Sequence, residues 1–122
     1  MRRKFPPIAV TTALLACLLF CAPAPAGNQY VILGAGSRPC GSWLQVRSET
    51  NPDSAVLQSW VLGYITSVNA NVLTVSQDVA DGDTPEGLYS WIDSYCAAHP
   101  LDSLARATTA LLESLRAKNK AR

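Results

Sequence analysis

Residues 90–100 read SWIDSYCAAHP, and the thiol of Cys96 within this stretch decides the fold. The only histidine of the chain, His99, follows three residues later. A thiol and an imidazole at this spacing could form a reactive pair, one half of a metal site, or the end of a helix. Which of these holds depends on the compartment of the protein and on the fate of its other cysteines.

The N-terminus has the three parts of a secretory signal peptide. A basic start at residues 2–4 precedes an apolar run over residues 8–20, and Ala24-Pro25-Ala26 supplies the small residues of a cleavage site. The apolar run is short for a membrane-spanning helix. We therefore expect residues 1–26 to be a cleaved signal peptide and the protein to be exported. The alternative is a lipobox ending at Cys17, which would leave a lipid-anchored protein.

Cleavage leaves one pair of cysteines in the mature chain. Cys17 and Cys21 depart with the signal peptide, whereas Cys40 and Cys96 remain. A single pair in an exported chain usually oxidises, so the sequence predicts a Cys40–Cys96 disulfide, which should stabilise the fold by about 4 kcal/mol. Cys96 then offers no thiolate for attack, and His99 has no nearby second ligand for zinc. We interpret His99, which precedes a proline, as bordering two helices.

The mature chain is one small domain with nearly balanced charge. Removal of the three basic residues at positions 2–4 leaves seven basic residues against nine acidic ones. This balance offers nothing that attracts nucleic acid strongly. Residues 27–122 also leave no room for a second domain.

Helical periodicity runs through most of the mature chain. Four helices are predicted. The first is suggested by Ser37-Arg38-Pro39-Cys40 and stops at Asn51-Pro52, and the second runs from Pro52 to Asn69 or Asn71 with Val56 on its apolar face. The third begins at Thr84-Pro85-Glu86, and the fourth is marked by Leu101, Leu104, Ala105, Thr108, Leu111, Leu112 and Leu115. The boundaries are an extended arm at 27–36, an all-α helical domain at 37–118 and a basic tail at 119–122. Gly34-Ala35-Gly36-Ser37 lacks the pattern of a phosphate loop and is interpreted as a flexible hinge.

Two features of the first three helices concern packing. Gly63 costs a helix about 1 kcal/mol relative to alanine, so we expect another helix to cross there. The aromatic side chains of Trp43, Trp60, Tyr64, Trp91 and Tyr95 could form a binding stripe. Each lies at core spacing on its helix, which favours packing in the core.

The order of these features resembles the HdeA-type helical periplasmic proteins. It is similar, within that fold, to the immunity proteins that protect bacteria against type VI secreted peptidoglycan amidases. The resemblance rests on Cys40 before Trp43, on Trp60 with Gly63-Tyr64, on the aspartate-rich connection, and on Trp91 to Cys96 before a leucine helix. It implies a compact four-helix periplasmic domain that binds other proteins and is often a homodimer. It also implies an alternative role as an acid-stress chaperone of unfolded clients. Acid-driven unfolding needs many carboxylates, and the nine found here weaken that alternative.

The carboxylates between the second and third helices permit chemical alternatives. Asp78, Asp81, Asp83 and Glu86 could serve a small glycoside hydrolase or hold calcium, although the spacing does not fit an EF-hand. They lie on a short polar connection with no indication of a cleft. We interpret them as solvated loop and helix-start charges, and we expect a non-enzymatic protein without catalytic residues, cofactor or metal.

Two segments carry apolar groups outside any helical stripe. These segments are the arm at Tyr30 to Leu33 and the connection from Val72 to Glu86. Apolar side chains that no helix covers favour contact with another surface. The predicted partner-binding residues are Tyr30, Ile32, Leu73, Asp78, Asp81 and Asp83. The expected partner is another protein, such as a secreted peptidoglycan amidase or unfolded clients, with no nucleic acid and no membrane after signal cleavage.

Overall fold

The structure is a computed structural model that describes residues 30–48, 50–71 and 78–122. Within these ranges the chain is all-helical, with four α-helices after a short 3₁₀ helix at Gly34–Ser37. The α-helices are α1 (Cys40–Ser48), α2 (Asp53–Asn71), α3 (Pro85–Ala98) and α4 (Leu104–Lys120). The predicted all-α class with four helices is confirmed. The predicted signal peptide, Cys17 and Leu73 lie outside the described residues.

The helices begin at residues whose side chains satisfy free backbone N–H groups. The Thr84 hydroxyl accepts from the backbone N–H of Gly87 and starts α3. Ser103 caps α4 in the same way, by accepting from the backbone N–H of Arg106. Leu101, predicted for the apolar stripe of the fourth helix, therefore precedes that helix and is 94% exposed. Side-chain oxygens at these positions replace hydrogen bonds that the first turn cannot make itself.

The predicted disulfide is present at the centre of the fold. Cys40 and Cys96 are both fully buried, and their bond ties the start of α1 to the end of α3 across 56 residues of sequence. Backbone hydrogen bonds surround it: the Cys40 N–H donates to the Asp102 carbonyl at 2.7 Å, and the Leu104 N–H donates to the Arg38 carbonyl at 2.8 Å. The junction of α1, α3 and α4 is thus held by covalent and backbone bonds together.

A single apolar core lies between the four helices. Its largest fully buried side chains are Trp43, Leu57, Ile92, Leu104 and Leu111. α4 contributes most of its apolar stripe, as the leucine spacing predicts. His99 ends α3, and its backbone N–H donates to the Tyr95 carbonyl, which confirms that it borders two helices.

The aromatic residues predicted for the core divide into two groups. Trp43 is fully buried, but Trp60, Tyr64, Trp91 and Tyr95 are only partly buried against the edge of the core. Core packing is therefore their role only in part, because one side of each ring remains open to solvent.

Two predictions about glycines are wrong, because the glycine that allows close packing is Gly36 and not Gly63. No helix crosses at Gly63, which is exposed and has nothing within 4 Å of the position of an added Cβ. The close approach occurs instead at Gly36, where an added Cβ would lie 2.0 Å from the Trp60 ring. Gly36 is buried in the 3₁₀ helix, so residues 34–37 are a packed turn rather than a flexible hinge.

Candidate protein-binding surface

The largest exposed apolar side chains lie mainly on the arm and on α2. Four of the five that the described residues contain are Tyr30, Val31, Leu33 and Val56, with exposures between 59% and 82%. The fifth, Leu101, lies on the turn between α3 and α4. Apolar side chains that gather on one part of a surface are typical of binding sites, whereas single ones are common everywhere.

Trp60 connects the arm to α2. Its indole N–H donates to the Leu33 carbonyl at 3.0 Å, and its ring stacks on Tyr64 with centroids 5.3 Å apart. Val56, Trp60 and Tyr64 are spaced by four residues and so lie along one face of α2. The hydrogen bond between Trp60 and Leu33 places the arm beside this helix face. We call Val31, Leu33, Val56, Trp60 and Tyr64 the neutral face.

The neutral face carries no charge. No charged residue lies between Asp53 and Asp78 in the sequence, and none lies between Lys4 and Arg38. At its edge the Arg38 guanidinium lies 3.6 Å from the Asp53 carboxylate, so the two charges offset each other. Exposed helix faces in water usually carry charged residues. After Asp53, α2 carries no charged residue, and in this its exposed face differs from that of a typical helix in water.

The acidic residues predicted to bind a partner also have partners within the chain. Asp78 accepts from the Asn69 amide at 2.6 Å, and Asp83 forms an ion pair with Lys118 at 2.8 Å. Asp81 lies 3.8 Å from the guanidinium of Arg122. These contacts fix the loop before α3 to the ends of α2 and α4. The three acids thus share one loop but do not converge on one point.

The described residues also contain no group of three or more histidine, cysteine, aspartate or glutamate side chains placed to hold a metal ion. Among the described residues, neither a hydrogen bond nor an ion pair joins His99 to Asp78, Asp81 or Asp83.

A second cluster joins α1 to α3 and was not predicted. The Asp93 carboxylate accepts from the Trp43 indole N–H at 2.6 Å and binds the Arg47 guanidinium through two further hydrogen bonds, at 3.1 and 2.8 Å. Glu86 adds a third acceptor for Arg47 at 2.8 Å. The guanidinium also lies over the rings of Trp43 and Tyr89. A planar cation between two aromatic rings and two carboxylates is a strong structural joint.

This cluster shifts two pKa values. The hydrogen bonds to Asp93 and then to Glu86 raise the pKa of Arg47 above its ordinary value, although burial acts in the opposite direction. Burial raises the pKa of Tyr89 above 10.0, and the negative charge of Glu86 adds to the effect. Both shifts keep the groups in their usual protonation states across the physiological range. The cluster is therefore a structural joint between α1 and α3.

Aromatic rings also follow one another on the outer side of α3. The rings of Trp91 and Tyr95 stack with centroids 5.7 Å apart, and the His99 ring lies 4.6 Å from that of Tyr95. The Tyr95 hydroxyl donates to Asp102 at 2.8 Å, and this hydrogen bond is the main cause that raises its pKa. The series reinforces the end of α3, where His99 closes the helix.

The sequence identified the arm but not all residues that matter on it. Tyr30 is exposed, whereas Ile32 is half-buried and turns toward the protein. Val31 and Leu33 of the arm are exposed as well, and so is Val56 of α2, at a position predicted to be buried. The sequence gives no signal for which side chains of the arm are covered, because that depends on how the arm packs on the helices.

No known protein family, curated protein or solved structure matches this chain. Among the helices of the described residues, none combines the length and the apolar character that a membrane crossing requires.

Proposed function

We propose that this chain is a non-enzymatic, exported protein-binding protein of the immunity or inhibitor type, and that it binds through the neutral face. The observation that carries the proposal is the apolar, uncharged surface formed by the arm and α2. Binding sites of this kind gain free energy by removing apolar area from water. The acidic loop serves the fold rather than the partner in this proposal, because its carboxylates are already paired.

The partner has a defined chemistry. A charged side chain placed against the neutral face would lose its hydration and find no counter-charge, which is strongly unfavourable. The matching surface must therefore be apolar and uncharged at its centre. We assign it to a secreted peptidoglycan amidase, the class that the resemblance to immunity proteins indicates.

Inhibition of a purified amidase tests this proposal. The protein is mixed with peptidoglycan amidases, beginning with any encoded beside its own gene, and turnover of peptidoglycan is followed. We expect inhibition at equimolar amounts, and we expect Val31→Asp and Val56→Asp to weaken it at least tenfold. Leu101→Asp is the matched control, because Leu101 is also apolar and is even more exposed, at 94%, but lies on the turn between α3 and α4.

Two results would reject the proposal. One is amidase turnover that stays unchanged at a large excess of the protein. The other is equal inhibition by the neutral-face variants and the Leu101 variant. Light scattering of the protein alone tests whether a second copy covers the same surface: a homodimer that Val56→Asp dissociates would replace the amidase as the occupant of the neutral face.

A role as an acid-stress chaperone is the second candidate, and one cluster favours it. The Asp93 carboxylate accepts hydrogen bonds from both Trp43 and Arg47, so the joint between α1 and α3 depends on one acidic side chain. The prediction is that acid near pH 2 to 3 exposes apolar surface and that the protein then suppresses aggregation of a client. A protein that remains folded and inactive under these conditions is not such a chaperone.

A further inference from the structure

We draw no further inference here: the strongest candidate, the surface patch of stacked aromatic rings formed by Trp91, Tyr95 and His99 on the outer side of α3, carries nothing, because nothing in the structure shows what covers it.

Discussion

At the scale of single residues, Asp93 joins more of the structure than any other carboxylate among the described residues. It accepts the Trp43 indole N–H and two hydrogen bonds from Arg47, and it thereby connects α1 to α3 away from the disulfide. Arg47 is largely buried, with 18% of its side chain exposed, whereas its other partner, Glu86, is 70% exposed. The two carboxylates should therefore differ in their contribution to stability.

Replacement of Asp93 should cost far more than replacement of Glu86. Asp93→Ala leaves the Trp43 N–H without an acceptor and Arg47 with only an exposed partner, which should lower the free energy of unfolding by about 2–3 kcal/mol. Glu86→Ala removes an exposed pair and should cost about 1 kcal/mol or less. Urea denaturation with unchanged m-values measures both. Equal losses of unfolding free energy in the two variants would show that Asp93 contributes no more to stability than the exposed Glu86.

Tyr95 should make the stability depend on alkaline pH. Its hydrogen bond to Asp102 raises its pKa above 10.0, so the folded state keeps the phenolic proton longer than the unfolded chain does. This contribution is complete below about pH 10 and is lost as the pH rises through the folded pKa. The free energy of unfolding of the wild type should then fall more steeply above pH 10 than that of Tyr95→Phe. Parallel curves above pH 10 would contradict this assignment.

At the scale of elements, α2 differs from the other helices in what it exposes. α4 presents charged residues such as Arg106, Glu113 and Arg116 to solvent, as a soluble helix usually does. α2 presents Ala55, Val56, Ser59, Gly63 and Thr66 instead. Charge-free exposure combined with a mid-helix glycine is unfavourable for an isolated helix, so α2 depends on its packed face for stability.

Gly63 offers a direct measure of that cost. Gly63→Ala adds a methyl group where nothing lies within 4 Å and removes backbone freedom from the unfolded chain. We expect the free energy of unfolding to rise by about 0.5–1 kcal/mol, measured as a higher urea midpoint. A loss of stability would mean that something covers Gly63 in solution.

The start of α3 provides a test of its cap. The Thr84 hydroxyl accepts from Gly87 and precedes Pro85, which is already fixed in helical geometry. Thr84→Ala should cost about 1 kcal/mol, whereas Thr84→Ser should retain most of the stability because it keeps the oxygen. Thermal unfolding of both variants measures the difference. If serine does not rescue the loss, the methyl group rather than the hydroxyl matters.

At the scale of the whole molecule, the disulfide and the core contribute together. Cys40 and Cys96 close a loop of 56 residues at a point where three helices meet, and both are fully buried. A small domain has a total stability of only about 5–15 kcal/mol. The disulfide restricts the unfolded chain, and the free energy gained in this way is a large share of that total.

Removal of the disulfide should destabilise the protein without changing its helices. The double variant Cys40→Ser and Cys96→Ser should lose about 4 kcal/mol of unfolding free energy in the chain-entropy description. In the native wild type neither cysteine should react with an alkylating reagent until a reductant and a denaturant are both present. Free alkylation of both thiols in native protein would remove the basis of the fold argument.

The helical class, the starts of α2 and α3, and the disulfide could all be predicted from the sequence. These features depend on neighbours three or four residues apart, on capping residues, or on the cysteine count of an exported chain. Each is a local or compositional property. The tail shows the limit of boundaries drawn this way, because α4 continues to Lys120, two residues past the predicted end of the helical domain.

Only the tertiary structure decided which faces remain open. Arg47 and Asp93 are 46 residues apart, and neither carries a local pattern that pairs them. The same holds for Gly36 and Trp60, whose contact follows from how the arm crosses α2. Periodicity identifies an apolar face but not which helix will cover it, and so it misplaced the close approach at Gly63 and buried Val56. Side-chain contacts between remote segments depend on how the helices pack, and helix packing is decided by the complete core rather than by any one segment.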